Sequence, residues 1–137
     1  MTKEFFVGNR RLKKRTGDIL LMIGIMPNLD GYKYIIKGVT DCVSDPSLFG
    51  RMTKGLYPQI AVAFGKTTQQ VERGIRHAIQ TGFNRGQFIK LNEIFRVHVI
   101  NPKDKNKPPN GEFMALLTER LLFEFADELH IGSVLVF

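Results

Sequence analysis

Polar side chains recur at helical spacing between Thr68 and Phe83. At about 100° per residue, five of them fall on one side of a predicted helix: Gln69, Arg73, Arg76, His77 and Gln80. Gln70 and Glu72 flank this side near the N-terminal end of the helix. Arg, Gln and Glu side chains can hydrogen-bond the edges of base pairs in the DNA major groove. Their types and spacing therefore indicate recognition of base edges.

An amphipathic helix with a merely solvated polar side would give the same pattern, so the surrounding charge decides between the two interpretations. The opposite side is apolar and consists of Val71, Ile75, Ala78, Ile79 and Gly82. Between Arg51 and Arg85 the chain has six Lys or Arg residues and one acid, Glu72. A solvated surface normally mixes charges of both signs. We therefore predict that this helix binds DNA.

A second, shorter predicted helix and a tight turn position the polar side. The turn is centred on Gly65, which can adopt the positive φ that bulkier residues resist. Thr67 and Gln70 have the spacing of a capping box, which marks the start of the second helix. Ala61, Gly65 and Val71 follow the spacing of a helix-turn-helix, in which a small residue lets two helices approach closely. The segment is predicted to be a helix-turn-helix.

Composition fits a single domain with a polyanionic partner. The 137 residues suffice for one core, and 43% hydrophobic with 24% charged residues is typical of a globular protein. The net charge is +7 and the sequence pI about 9.8, which favours nucleic acid or an anionic surface. Cys42 is the sole cysteine, so no internal disulfide can form. The longest apolar run, residues 19–26, is too short to span a membrane. We expect a cytoplasmic location, at the nucleoid.

Residues 1–15 form a basic opening that we expect to be an N-terminal arm, followed by one helical domain over 16–137. A strand-like Phe-Phe-Val at 5–7 precedes a basic run made of Arg10, Arg11, Lys13, Lys14 and Arg15. Such a run is either a solvated terminus or an arm that adds phosphate contacts. Thr16-Gly17-Asp18 is predicted to cap a helix over residues 19–25.

The rest of the chain reads as further helices with one strand-like stretch. Helices are predicted from a start signal at 28–31 to about residue 43, over 46–49, over 88–95, and from an Asn110 cap to about residue 129. Residues 96–99 alternate like a strand and could pair with the apolar end at 133–137, which could instead be a subunit contact. The predicted fold class is therefore all-α, with about six helices and a central helix-turn-helix. A small β pairing near the C-terminus is the open alternative to a purely helical domain.

Signatures of catalysis are absent from the sequence. It contains no Gly-rich phosphate loop, no His-x-x-x-His and no nucleophile elbow. His98 and His130 are isolated, and the acids are dispersed. We therefore expect that the protein is not an enzyme and that it has no catalytic residues, no bound metal and no cofactor.

Long motifs in this order identify a family. IGIMP at 23–27, LYPQIA at 56–61, VERGIRHAI at 71–79 and KPPNGEF at 107–113 resemble the C-terminal effector domain of stage zero sporulation protein A. The similarity covers about residues 18–125. It implies a domain of about six helices whose helix at about 68–83 enters the major groove of a GTCGA-containing box. Two copies would bind tandem sites as a dimer and contact RNA polymerase through its sigma factor.

The resemblance also assigns residues. Glu72, Arg73, Arg76 and His77 match the reading helix of the family, and Lys66, Thr67 and Thr68 lie where its backbone contacts cluster. We expect base reading by Gln70, Glu72, Arg73 and Arg76, and backbone contacts by Lys66, Thr67, Thr68, Gln69, His77 and Arg85. Residues 85–95 match the region that touches the sigma factor, where Lys90, Asn92 and Glu93 are the expected polymerase contacts although their character differs.

Two departures from the family bear on function. The family has Arg where this chain has Gln70, and because Gln favours adenine where Arg favours guanine, one base of the box is expected to differ. This sequence has no phospho-acceptor receiver domain before residue 1, so we expect either an excised or naturally stand-alone effector, or regulation that comes from elsewhere. The alternative is a protein-interaction module that binds the sigma factor or a full-length homologue as an antagonist. The basic arm and the apolar tail lie outside the resemblance.

Overall fold

Six α-helices build the domain in the computed structural model, which describes the backbone of residues 3–129 and the side chains of residues 9–126. They are α1 (Lys3–Met22), α2 (Asp30–Ser44), α3 (Tyr57–Phe64), α4 (Thr68–Asn84), α5 (Lys90–Phe95) and α6 (Asn110–Leu129). A 3-10 turn at Pro46–Gly50 and a π-helical turn at Met52–Leu56 join α2 to α3. Residues 3–129 contain no β-strand, which confirms the predicted all-α class.

Helix α2 lies at the centre and packs against α1, α4 and α6. Its buried side includes Tyr34, Ile35, Val39 and Cys42. Helix α4 buries the apolar side predicted from its sequence, Val71, Ile75, Ala78, Ile79 and Gly82. None of the helices in the described part of the chain is long and apolar enough to cross a bilayer.

Helix α1 begins much earlier than the sequence indicated, so the predicted helix start at residues 16–18 and the strand-like reading of residues 5–7 are wrong. Thr16 is fully buried, and its hydroxyl donates to the Leu12 carbonyl at 2.7 Å instead of capping a helix. Leu12, Thr16 and Ile19 share the side that faces the core. Tertiary burial of this side keeps residues 10–18 helical. The basic residues therefore lie on α1, and no element boundary falls at residue 15 or 16.

Helices α2 and α4 cross at a pair of glycines. A Cβ added at Gly31 would overlap the carbonyl oxygen of Gly74 and would lie 2.5 Å from the Cβ of Ala78. A Cβ added at Gly74 would lie 2.8 Å from a ring carbon of Tyr34. Contacts this short are not tolerated between real Cβ atoms and backbone. Because Gly31 and Gly74 have no side chains, α4 can pack this closely against α2 at the centre of the domain.

The segment after α5 is held by one side chain and is not a strand. Arg96 ends α5 in the left-handed conformation, with φ 55°. The Oδ1 atom of Asn92 accepts hydrogen bonds from the N–H groups of Val99 and Ile100 at 2.7 and 2.8 Å, and its Nδ2 donates to the Ile100 carbonyl at 2.8 Å. The predicted strand at 96–99 is therefore wrong. Its predicted partner at 133–137 lies outside the described residues.

The single cysteine should be inert in the folded protein. Cys42 is fully buried, and burial raises the pKa of its thiol to about 12, with the Asp41 and Asp45 carboxylates adding to the effect. At pH 8 the reactive thiolate is then rarer by about a thousandfold than in an ordinary thiol. We expect iodoacetamide to leave the native protein unlabelled at pH 8 and to label it fully in denaturing urea, as read by mass spectrometry. Labelling without denaturant at the rate of a free peptide thiol would contradict this placement.

Candidate nucleic-acid interface

The turn between α3 and α4 has the geometry expected of a helix-turn-helix. Gly65 ends α3 at φ 64° and ψ 40°, in the left-handed region that the sequence predicted. The Thr67 hydroxyl accepts the Gln70 N–H at 3.1 Å, and the Gln70 Oε1 accepts the Thr67 N–H at 2.9 Å. The predicted capping box is thereby confirmed. Ala61 and Val71 are buried between the two helices, as their spacing predicted.

Asn110, the first residue of α6, ties the helix-turn-helix to the rest of the domain. Its Nδ2 donates to the Tyr57 hydroxyl at 3.2 Å and to the Glu72 carbonyl at 3.1 Å. Burial raises the pKa of Tyr57, and the Glu72 carboxylate adds to this while the Asn110 hydrogen bond and Arg76 oppose it. The phenol therefore stays neutral. Asn110 thus links the start of α3 to the first turns of α4, a role that sequence spacing did not reveal.

The exposed side of α4 brings the predicted reading residues together. Gln69, Gln70, Arg73, Arg76 and His77 are exposed, and Glu72 is half-buried. Lys66 and Thr67 are exposed and Thr68 is half-buried where α4 begins. Arg85 follows the other end of α4, about 25 Å away at 1.5 Å per residue. The predicted backbone contacts therefore form a group at the N-terminal end of α4, with His77 at the middle of the helix and Arg85 beyond its C-terminal end.

Arg76 and Glu72 are paired with each other in the free protein. Arg76 Nη1 donates to Glu72 Oε1 at 2.8 Å, and both side chains are partly exposed. Exposed pairs of this kind contribute about 0–1 kcal/mol, whereas a bidentate arginine–guanine contact is worth about 1–3 kcal/mol. The pair can therefore open in favour of a base. Arg73 makes no ion pair within the described residues, so its guanidinium is available at once.

Two grooves flank Arg73 and His77 on the exposed side of α4. One, of about 470 Å³, lies toward the start of α2 and includes Asp30, Lys66 and Gln70 in its lining. The other, of about 290 Å³, is lined by Arg73, Arg76, His77, Gln80 and Lys107. Lys107 comes from the loop before α6. One groove therefore combines an acid with cations, and the other contains cations without a carboxylate.

The predicted polymerase contacts differ from one another in their surroundings. Lys90 and Glu93 are exposed on α5. Asn92 is half-buried, and both polar atoms of its side chain are engaged by the backbone of Val99 and Ile100. The exposed surface at α5 thus consists of Lys90 and Glu93, while Asn92 fixes the segment that follows.

Comparison with protein families agrees with this geometry. The family model described as Sporulation initiation factor Spo0A C terminal matches residues 16–121. The match includes the whole helix-turn-helix and both flanking grooves, and it confirms the resemblance carried by the sequence motifs. The domain that this family describes is a DNA-binding effector of transcription regulation in sporulation and is not a known enzyme family. The chain therefore belongs to the Spo0A C-terminal family.

Proposed function

We propose that this protein regulates transcription by reading a short GTCGA-like box with α4 in the major groove of double-stranded DNA. The exposed side of α4 carries the proposal, because it presents Arg73 without an ion-pair partner among the described residues. Arg76 and Glu72 lie one turn from each other on the same side and can exchange their mutual contact for base edges. Lys66, Thr67, Thr68, Gln69, His77 and Arg85 position the helix on the phosphate backbone.

Gln70 reads its base differently from a free glutamine. A bidentate contact with adenine uses the amide oxygen as well as the amide nitrogen, but the Gln70 oxygen accepts the Thr67 N–H. The Nε2 donors remain, and they suit an acceptor such as guanine O6 or thymine O4. The capping box thus favours an acceptor base opposite Gln70, with no need for adenine at that position.

Binding of labelled duplexes tests the proposal directly. Fluorescence anisotropy would compare a tandem GTCGA-type box with a scrambled duplex across a salt series. We expect at least about a thousandfold preference for the box at physiological salt, the lower end for specific regulators. A steep salt dependence without any preference would contradict base reading, because it is the signature of backbone contacts alone.

The same proposal includes a sigma-factor contact and a second copy on the adjacent site. Lys90 and Glu93 are its supporting observation, since α5 presents both to solvent. The second candidate function is an antagonist module that binds the sigma factor without a specific box. The engaged amide oxygen of Gln70 favours this antagonist module, because it weakens the bidentate contact with adenine that a free glutamine would make. A pull-down that retains the sigma factor while the duplex comparison shows no preference would support the module.

A further inference from the structure

Lys107 is placed beside the recognition helix by rigid neighbours. Pro108 and Pro109 follow it and restrict the backbone, because each proline ring fixes its own φ. Asn110 comes next, and its side chain is bonded to the Glu72 carbonyl of α4 at 3.1 Å. Lys107 is half-buried, whereas Lys105 on the same loop is exposed. The loop therefore holds the Lys107 backbone against α4.

The surroundings of Lys107 lack a counter-charge. Its groove of about 290 Å³ is lined otherwise by Arg73, Arg76, His77 and Gln80, and no carboxylate belongs to that lining. Lys107 makes no ion pair within the described part of the chain. Glu72, the one acid of α4, is paired with Arg76 at 2.8 Å. Cations that converge without an acid repel one another unless an anion occupies the space between them.

We propose that Lys107 binds a phosphate of the DNA strand that runs along this flank of α4. The inference rests on the proposed function, since it requires α4 to lie in the major groove, where the flanks of the helix meet the sugar–phosphate walls. A lysine acts as a point charge that suits a phosphate, and it carries no base code. Lys107 is thus a positioning contact and not a reader.

The two flanks of α4 make this contact one-sided. Asp30 lies in the groove on the opposite flank of Arg73 and His77, together with Lys66 and Gln70. Lys66 in the same groove and Lys33, 4.0 Å from Asp30, offset the charge of this carboxylate. The Lys107 groove holds cations and no carboxylate, so it attracts a phosphate without an opposing charge.

A matched pair of loop variants measures the contact. Lys107→Gln and the control Lys105→Gln remove the same charge from the same loop, but only the first removes it from the groove. For Lys107→Gln we expect the slope of log K against log salt to fall by about 0.9, the value for one phosphate. This corresponds to about fivefold weaker binding near 0.15 M salt on boxed and scrambled duplexes alike. Lys107→Arg should restore binding, and Lys105→Gln should leave the slope nearly unchanged.

DNA in which single phosphates are replaced by uncharged groups would locate the phosphate that Lys107 contacts. A methylphosphonate placed at each position of the box in turn should reveal one position that weakens the wild-type protein but not Lys107→Gln. Equal slopes for wild type and Lys107→Gln, or no such position, would overturn the inference even where the preference for the box is intact. If the wild type showed no preference for the box but its salt slope still differed from that of Lys107→Gln, only base reading would be overturned. Thermal melting by circular dichroism confirms that both variants fold.

Discussion

Arg73→Ala should weaken binding to the specific box by about 1–3 kcal/mol, or about 5- to 150-fold, while binding to scrambled DNA falls far less. The guanidinium lies between the two grooves of the interface and has no ion-pair partner among the described residues. A base contact by Arg73 therefore replaces only water. Arg76 must first give up Glu72 at 2.8 Å, so its truncation should cost less.

Anisotropy on the boxed and scrambled duplexes provides the measurement, with Arg10→Ala as the control. Arg10 is exposed on α1, whose main packing partners are α2 and α6. Both substitutions remove one positive charge, so the net charge of the protein is the same in the two variants, and a larger loss with Arg73→Ala reports the contact made by Arg73 itself. Equal losses on both duplexes with Arg73→Ala would show that Arg73 only contacts the backbone, and the base-reading assignment would then be wrong.

The sequence was sufficient for the helix-turn-helix because its signals are local. Gly65 ends a helix through its own backbone freedom, and Thr67 and Gln70 bond each other three residues apart. The sides of α4 follow from helical periodicity alone, and the buried residues agree with it. Each of these features depends on residues within one or two turns, so no knowledge of the fold was needed to predict them.

Features that depend on distant contacts could not be predicted in this way. Thr16 has the residue type of a cap, but burial against the core makes it a helix-interior residue. Lys107 acquires its place only because Asn110 bonds Glu72, 38 residues earlier in the chain. Asn92 was expected to contact the polymerase, a role that stays a prediction, and its engagement by Val99 and Ile100 required the path of the following loop. Local sequence does not contain that path.

Gly31→Ala should destabilise the fold more than any surface change discussed above. The added Cβ would overlap the carbonyl oxygen of Gly74, which is helix backbone and cannot rotate away as a side chain could. Helices α2 and α4 would have to move apart, at a cost of about 1–3 kcal/mol or more for an overpacked core. Urea unfolding followed by circular dichroism should therefore show a lower midpoint with an unchanged slope.

Alanine substitutions at two further glycines serve as comparisons for the expected loss of stability in Gly31→Ala. A Cβ at Gly111 in α6 meets nothing within 4 Å, so Gly111→Ala should stabilise the protein by about 0.4–1 kcal/mol. Gly74→Ala should cost less than Gly31→Ala, because its new Cβ would meet the ring of Tyr34, which can shift slightly. An unchanged midpoint for Gly31→Ala would mean that the two helices do not cross this closely.

The close packing of α2 and α4 at Gly31 also connects the stability of the fold with DNA recognition by Arg73. Helix α4 is held on its inner side by Gly31 and on its exposed side positions Arg73 between the two grooves. An outward shift of α4 in Gly31→Ala would stretch the hydrogen bond from Asn110 to the Glu72 carbonyl, which ties the Lys107 loop to α4, and would move Arg73 away from Lys107. The folded fraction of Gly31→Ala should then lose preference for the box even where its salt slope is retained. A variant that is less stable but binds the box as well as the wild type would show that α4 and the Lys107 loop move together.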